Sequence, residues 1–300
     1  MGCGLLLIFN LQGSPVMLHL TPFFTVYSTI VAFLLGTVMA SFLACMGWRM
    51  CKGESVLRGR SHCDSCGHVL GAYDLIPILS YLMSKGRCRH CGAKISSINL
   101  FGELGMGVLF AFVTLVYGNL YFIILHCIFF CILYLVTVTD VIDQIIPDGA
   151  LLVAIVVRVI AFVLNHYFEF YSNIIYINKP ALWSELLGLL VDGLVVSLPL
   201  LILVLIMEKI LKKEAMGGGD IKLLFVTGLY LGWARNILVV FFACIIGIVV
   251  GSMQQKKVEN KEDSEEEQSF YFAFGPSIAL SAVLMLFFGN MILDWYLSLF

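Results

Sequence analysis

Two places in the chain put an aspartate beside a long apolar stretch. Asp140 ends a stretch without charged residues, and Asp220 follows directly after three glycines near the start of a second apolar stretch. Carboxylates that come together can share one proton, so that one activates water as a base while the other polarises a scissile carbonyl. Glycines carry no side chain that would keep a peptide backbone from the carboxylate. The candidate catalytic residues are Asp140 and Asp220, and the candidate substrate-binding residues are Gly217, Gly218 and Gly219.

These carboxylates also have interpretations that involve no catalysis. Asp148 and Asp220 both stand where a helix is expected to begin, so they could serve as helix N-caps. Asp140 and Asp220 could also form a path for protons or ions between two membrane spans. The residue types and their spacing leave these alternatives open.

Four of the ten cysteines form two matching pairs. Each pair has the form Cys-x-x-Cys-Gly, and 21 residues separate the pairs. The glycine allows a positive φ just after the second ligand, as a metal-binding knuckle requires. Two knuckles would supply four thiolates to one structural Zn²⁺, which stabilises a small domain and performs no chemistry by itself. The predicted ligands are Cys63, Cys66, Cys88 and Cys91.

The composition excludes a soluble domain. Apolar residues make up 60% of the chain and charged residues only 13%, with a mean hydropathy of +0.97, whereas soluble domains are about a quarter charged. The net charge of −2 gives no electrostatic reason to expect a nucleic-acid partner. We therefore expect an all-α polytopic membrane protein whose partner is the lipid bilayer.

Charge-poor stretches long enough to cross the bilayer predict about eight transmembrane helices. They cover residues 21–46, 98–116, 120–139, 149–166, 184–207, 221–233, 236–253 and 274–297, with a turn at Tyr117-Gly118-Asn119. The sixth span is short, because Asp220 to Trp233 measures about 20 Å as a helix against a hydrocarbon core of about 30 Å. Either the bilayer thins there or Asp220 lies below the headgroups.

The basic residues orient these spans. Of 18 Lys and Arg residues, eight lie between Arg49 and Lys94, four between Lys209 and Lys222, and three between Lys256 and Lys261. All three segments fall on one side of the eight-span arrangement, which the positive-inside rule makes cytoplasmic. Both termini then face outward. The cysteine pairs fall on the reducing side, which favours zinc over the alternative of two disulfides.

Three further charged residues lie a helical turn or more inside a span. Glu103 lies one turn into the second span, where its side chain can snorkel to the interface. Arg158 and Asp192 lie at nearly matching depths in the fourth and fifth spans. We expect them to form a structural ion pair.

The chain resembles the type IV prepilin peptidases, which are membrane aspartic proteases of the Gly-x-Gly-Asp kind. The matching blocks are Ala40-Ser-Phe-Leu with Arg49, the cysteine pairs enclosing Ala72-Tyr-Asp-Leu-Ile-Pro-Ile-Leu-Ser-Tyr81, Asp140 with Ile146-Pro147-Asp148, Met216-Gly-Gly-Gly-Asp-Ile-Lys222, and Phe274-Gly-Pro-Ser277. The resemblance spans roughly residues 33–288. It implies that Asp140 and Asp220 are the catalytic pair, with Asp143 and Asp148 as neighbours.

The resemblance also implies a substrate and a second activity. Such enzymes remove the leader from prepilins or pseudopilins after a glycine, at the cytoplasmic face of the bacterial inner membrane. Many then methylate the new N-terminus with S-adenosylmethionine. The chain departs from the family at Ala44, where an asparagine is usual, and this departure bears on methylation more than on cleavage.

We expect three parts: an N-terminal segment and first span over residues 1–46, a cytoplasmic zinc-knuckle domain over 47–97, and a transmembrane peptidase domain over 98–300 with an acidic cytoplasmic loop near 254–270. Two rival functions remain at this point. One is a proton-coupled transporter that uses the same aspartates, and the other is a non-enzymatic assembly platform. Neither rival explains why both aspartate motifs occur together in this order.

Overall fold

The computed structural model describes residues 21–56, 59–63, 65–168, 182–212, 217–259 and 273–299. Within these ranges the regular structure is helical, apart from two isolated antiparallel bridges, His62 with Val69 and Arg87 with Lys94. The chain divides into two compact units, Met1–Val138 with Val159–Ile177 and Thr139–Arg158 with Asn178–Phe300. Most of the expected acidic loop lies outside the described residues.

The described helices follow in simple order along the chain. They are α1 (Pro22–Cys51), α2 (Leu79–Met83), α3 (Ser97–Tyr117), α4 (Leu120–Asp143), α5 (Asp148–Phe168), α6 (Leu182–Leu211), α7 (Gly218–Leu231), α8 (Trp233–Glu259) and α9 (Gly275–Leu297), with a 3₁₀ turn at Ala72–Asp74. Gly118 ends α3 in the left-handed conformation with φ 59°. This confirms the turn that we placed between the second and third spans.

Seven of the described helices are long and apolar enough to cross a membrane. They correspond to seven of the eight expected spans. The remaining expected span is α7, whose 14 residues make a helix of about 20 Å at 1.5 Å per residue. The architecture is therefore an all-α polytopic membrane protein with a four-cysteine cluster between its first two spans.

Helices α1 and α3 pack closely in the first unit because small residues meet at their crossing. A methyl group added at Gly36 would lie 2.6 Å from the carbonyl oxygen of Met106, and one added at Gly107 would lie 2.8 Å from the Thr37 side chain. Both distances are shorter than van der Waals contact, so the crossing requires glycine. The four-cysteine segment thus begins and ends on a tightly packed pair of helices.

Helix α7 is enclosed in the second unit by α6, α8 and α9. The side chain of Asn236, at the start of α8, is fully buried. It donates a hydrogen bond to the Leu224 carbonyl at 2.9 Å and accepts one from the Thr227 hydroxyl at 2.8 Å. The two helices are therefore an antiparallel hairpin that turns at Gly232, whose φ is 82°.

Arg158 and Asp192 bind this hairpin rather than each other. Arg158 Nε donates to the Leu229 carbonyl of α7 at 2.8 Å, and Asp192 accepts from the Trp233 N–H of α8 at 3.2 Å. A cation at a helix C-terminus and an anion at a helix N-terminus both interact favourably with the helix dipoles. The expectation of an ion pair is corrected accordingly: the two charges hold the α7–α8 turn from either side.

Candidate active site

The second unit contains both candidate aspartates. Asp140 lies in the last turn of α4 and Asp220 in the first turn of α7. Both are buried, with exposed fractions of 5% and 9%. The charge of Asp140 acts on the Asp220 carboxyl. Since two buried carboxylates that repel each other cannot both ionise at low cost, the pair is suited to hold a single proton.

Asp140 has a partner that the sequence did not point to. The backbone N–H of Gly275 donates a hydrogen bond to Asp140 Oδ2 at 2.8 Å. Gly275 is the first residue of α9, so the positive end of this helix faces the carboxylate. A methyl group at Gly275 would lie 2.7 Å from the same oxygen, and the contact therefore needs glycine.

The three glycines before Asp220 differ in their surroundings. A methyl group at Gly219 would lie 2.9 Å from Ile146 Cβ, so Gly219 lets the start of α7 pack against the α4–α5 turn. Gly217 and Gly218 are exposed, and a methyl group at Gly218 would meet no atom within 4 Å. A methyl group at Gly217 would lie 3.3 Å from Asp220 Oδ2. Gly217 and Gly218 therefore provide the accessible backbone beside Asp220.

The two neighbouring aspartates, Asp143 and Asp148, are exposed rather than buried. Asp143 is exposed at the end of α4, and Asp148 is the first residue of α5. The Asp148 carboxylate pairs with Lys222 of α7 at 2.7 Å. This ion pair ties the start of α5 to the start of α7. The N-cap of α7 is Gly217, so Asp220 does not have the capping position that we considered for it.

The four arranged cysteines converge in the first unit. Their sulfur atoms all lie within 4.8 Å of one another, and Cys63 Sγ lies 3.9 Å from Cys91 Sγ. A tetrahedral Zn²⁺ with Zn–S bonds near 2.3 Å requires sulfur separations of about 3.8 Å, whereas a disulfide would require about 2.05 Å. Gly67 and Gly92 follow the knuckles with φ of 67° and 74°, as expected.

Family models match both parts of the chain. The bacterial Peptidase A24 N-terminal domain matches residues 34–117, which include all four cysteines, and the Type IV leader peptidase family matches residues 127–252, which include both aspartates. The chain belongs to the type IV prepilin peptidase family. The resemblance seen in the sequence is confirmed.

Similar proteins match this chain over most of its length. A prepilin leader peptidase/N-methyltransferase of Bacillus subtilis (strain 168) is 26% identical over 271 residues, which cover 90% of this chain and 98% of that protein. The protein of that description from Myxococcus xanthus (strain DK1622) is 30% identical, over 77% of this chain and 63% of that protein. The one from Stutzerimonas stutzeri is 27% identical, over 79% of this chain and 75% of that protein. No solved structure matches the chain significantly.

Gly275 lies outside both matched ranges of this prepilin peptidase family member. Its link to Asp140 joins residues 135 positions apart, which no local pattern reveals. The signal available in the sequence was the late Phe274-Gly-Pro block, in which proline stands at the first turn of a helix. That block predicted a helix start but not its contact with a catalytic candidate.

The thiols of the cysteine cluster fit a cation. Backbone N–H groups of Ser65 and Cys66 lower the pKa of the Cys63 thiol to about 7. The N–H of Ala93 lowers the pKa of Cys91, but burial and the neighbouring thiols outweigh it and raise the value to about 11. Four sulfurs at these separations repel one another once ionised, and a divalent metal removes that repulsion.

Proposed function

We propose that this protein is a membrane aspartic endopeptidase that removes the leader peptide from type IV prepilins or pseudopilins. The observation that carries the proposal is the buried pair of Asp140 and Asp220, with Asp140 oriented by the Gly275 N–H. The names of the similar proteins support the same activity. Nothing in the structure or the comparisons favours a transporter or an assembly platform.

The surroundings of the two carboxyls suggest a division of roles. A carboxylate that accepts a hydrogen bond from an N–H is stabilised in its charged form. We assign Asp140 as the base that takes a proton from water and Asp220 as the acid that gives a proton to the oxygen of the scissile carbonyl. Water then adds to the carbonyl carbon. Asp140 passes the proton that it took from water to the amide nitrogen, and Asp220 takes a proton back from the hydroxyl group as the C–N bond breaks.

The substrate's backbone would approach along Gly217 and Gly218, which are exposed beside Asp220. Gly219 is held against Ile146 and serves the same site by placing the start of α7. Cleavage after a glycine, at the cytoplasmic face of the bacterial inner membrane, is the arrangement that the family implies. The Lys/Arg-rich segments support this orientation by the positive-inside rule.

We assign Zn²⁺ to Cys63, Cys66, Cys88 and Cys91, where it would hold the two knuckles together. This site organises the segment over residues 47–97 and supplies no reacting group. N-methylation with S-adenosylmethionine is the second activity in the names of the similar proteins. The described residues mark no site for this cofactor, and the departure at Ala44 bears on methylation more than on cleavage.

The decisive experiment compares four membrane preparations that contain wild type, Asp140→Asn, Asp220→Asn or Asp143→Asn. Each is incubated with a prepilin-like substrate and S-adenosylmethionine, and the intact mass of the substrate is measured. We expect wild type and Asp143→Asn to remove the leader, and both other variants to lose activity by at least about 10²-fold, the usual contribution of a general acid or base. A further gain of one methyl group would establish the second activity.

Asp143→Asn is the matched control because Asp143 is an exposed carboxylate at the end of the same helix. If Asp140→Asn or Asp220→Asn cleaves as fast as wild type, the assignment of the pair is wrong. If wild type leaves the substrate whole while a homologue cleaves it in parallel, the peptidase proposal fails and a transporter becomes the function to test.

A further inference from the structure

The segment between the two knuckles has an exposed apolar surface. We call residues 75–83 the interknuckle segment; it contains α2 and the turn before it. Five of its apolar side chains are exposed by 39–68%: Leu75, Ile76, Leu79, Leu82 and Met83. So many apolar side chains on so short a segment indicate a surface that another apolar phase covers.

A hydrogen bond fixes this segment relative to α3, one of the candidate membrane spans. The backbone N–H of Ile78 donates to Glu103 Oε2 at 2.7 Å. Glu103 is the seventh residue of α3, so its Cα lies about 9 Å along the helix axis from the first residue. Side chains of a helix lean towards its N-terminus. The Ile78 backbone therefore lies several ångströms inside the level at which α3 begins.

The length of α3 indicates how deep the Ile78 backbone would lie in the bilayer. Its 21 residues measure about 30 Å, which is the full thickness of the hydrocarbon core. No turn is left to extend into water at either end. Phe101, two residues before Glu103, is an exposed apolar side chain of the same span. The level to which Ile78 is tied is therefore the boundary between headgroups and acyl chains.

Two further features suit this boundary. Lys85, Arg87 and Lys94 follow the segment and are exposed, so they can pair with anionic headgroups above it. Ile78 has φ 62° and ψ −55°, and Leu79 N–H bonds to the Pro77 carbonyl at 2.6 Å. This tight turn is strained for a β-branched residue and needs an anchor. Glu103 provides it.

We propose that the interknuckle segment inserts into the interfacial layer of the bilayer, where acyl chains cover Leu79, Leu82 and Met83 and Glu103 holds the segment at that depth. Glu103 is a positioning residue in this arrangement. Its carboxylate is occupied by the Ile78 N–H, so it does not merely reach outward to water. Because the segment lies between the two cysteine pairs in the sequence, it then anchors the four-cysteine cluster to the membrane surface.

The test uses the unmodified full chain in nanodiscs that contain a phospholipid with a photoreactive diazirine on its acyl chain. After illumination, lipid adducts are located by fragment-ion mass spectrometry. We expect adducts within residues 75–83 and at Phe101 on α3, but not at the exposed, polar Ser65 of the first knuckle. Adducts at Phe101 without any in the interknuckle segment would overturn the proposal.

Two variants test the anchor. Glu103→Ala removes the acceptor and should lower the adduct yield in the interknuckle segment several-fold, with the yield at Phe101 unchanged. Glu103→Gln keeps an oxygen acceptor for Ile78 and should retain the wild-type yield. Equal yields in all three proteins would show that Glu103 is not the anchor.

The competing occupant is the apolar helix of a substrate. It is tested by adding a pilin-like peptide that carries the diazirine itself. If the segment takes no lipid adduct but crosslinks to this peptide, it is a substrate-docking surface and the membrane assignment is wrong. This outcome is distinct from a failure to cleave, because crosslinking is scored without turnover.

Discussion

At the scale of single residues, one backbone N–H distinguishes the two catalytic candidates. The Gly275 N–H reaches Asp140 only because the position has no side chain, since a methyl group there would lie 2.7 Å from Asp140 Oδ2. Any side chain would push the carboxylate away or shift the start of α9. The geometry of the pair therefore depends on a residue that does not itself react.

We expect Gly275→Ala to lower leader cleavage by about 10²-fold, because a displacement of about 1 Å at a reacting group costs that much. Initial rates measured by intact mass of the substrate check this. The control is Gly149→Ala near the start of α5, where a methyl group would meet no atom within 4 Å. If both variants cleave equally well, the Gly275 contact has no role in catalysis.

The cysteine cluster gives a second prediction at this scale. Wild-type protein should hold one zinc per chain by elemental mass spectrometry, and Cys88→Ser should lose it, since Cys88 is a buried member of the four. Cys244→Ser, an exposed cysteine of α8, should retain the metal. Equal metal content in the two variants would contradict the assignment of the cluster.

At the scale of elements, α7 determines where Asp220 lies. Asn236→Ala would remove the hydrogen bonds that join α8 to the Leu224 carbonyl and the Thr227 hydroxyl. We expect a loss of about 1–3 kcal/mol in stability, because buried groups lose their partner, and slower cleavage, because α7 carries Asp220. Thermal unfolding in detergent and the cleavage assay measure the two effects.

Asn290→Ala is the matched control for this change, since Asn290 is exposed on α9. It should unfold within the error of wild type. A hairpin held only by apolar packing would instead leave Asn236→Ala as stable as the control.

The elements also show which inferences a sequence supports. Gly217–Gly219 before Asp220 and the paired Cys-x-x-Cys-Gly motifs are both local patterns. The structure brings the four cysteine sulfur atoms together, and the substrate-binding role of the three glycines stays a prediction. We expected Arg158 and Asp192 to pair because they lie at similar depths in their spans. Depth alone cannot show that the α7–α8 turn lies between them and offers backbone hydrogen-bond partners. Contacts between distant segments depend on packing, and local spacing carries no information about it.

At the scale of the whole molecule, the two helices of the α7–α8 hairpin differ in length. From their shared turn at Gly232, α7 runs 14 residues and the apolar part of α8 runs 21 residues. At 1.5 Å per residue, α7 therefore starts about 10 Å short of where that part of α8 ends. We expect Asp220 to be recessed below the Lys/Arg-rich membrane face, which is where the junction of a polar leader and an apolar helix would lie.

The same hairpin predicts the topology, although α7 alone is shorter than the hydrocarbon core. Arg158 binds a carbonyl at the end of α7 and Asp192 binds an N–H at the start of α8, which would let a short helix complete the crossing. Residues 169–181 and 260–272 should then face opposite sides of the membrane, as the three Lys/Arg-rich segments require.

Epitope tags inserted after residues 173 and 264 test this by antibody access in spheroplasts and in inverted vesicles. The tag after residue 173 should be reached in spheroplasts and the tag after residue 264 only in inverted vesicles, with cleavage retained in both proteins. Tags on one face would mean that α7 does not cross, because removing one crossing reverses everything after it.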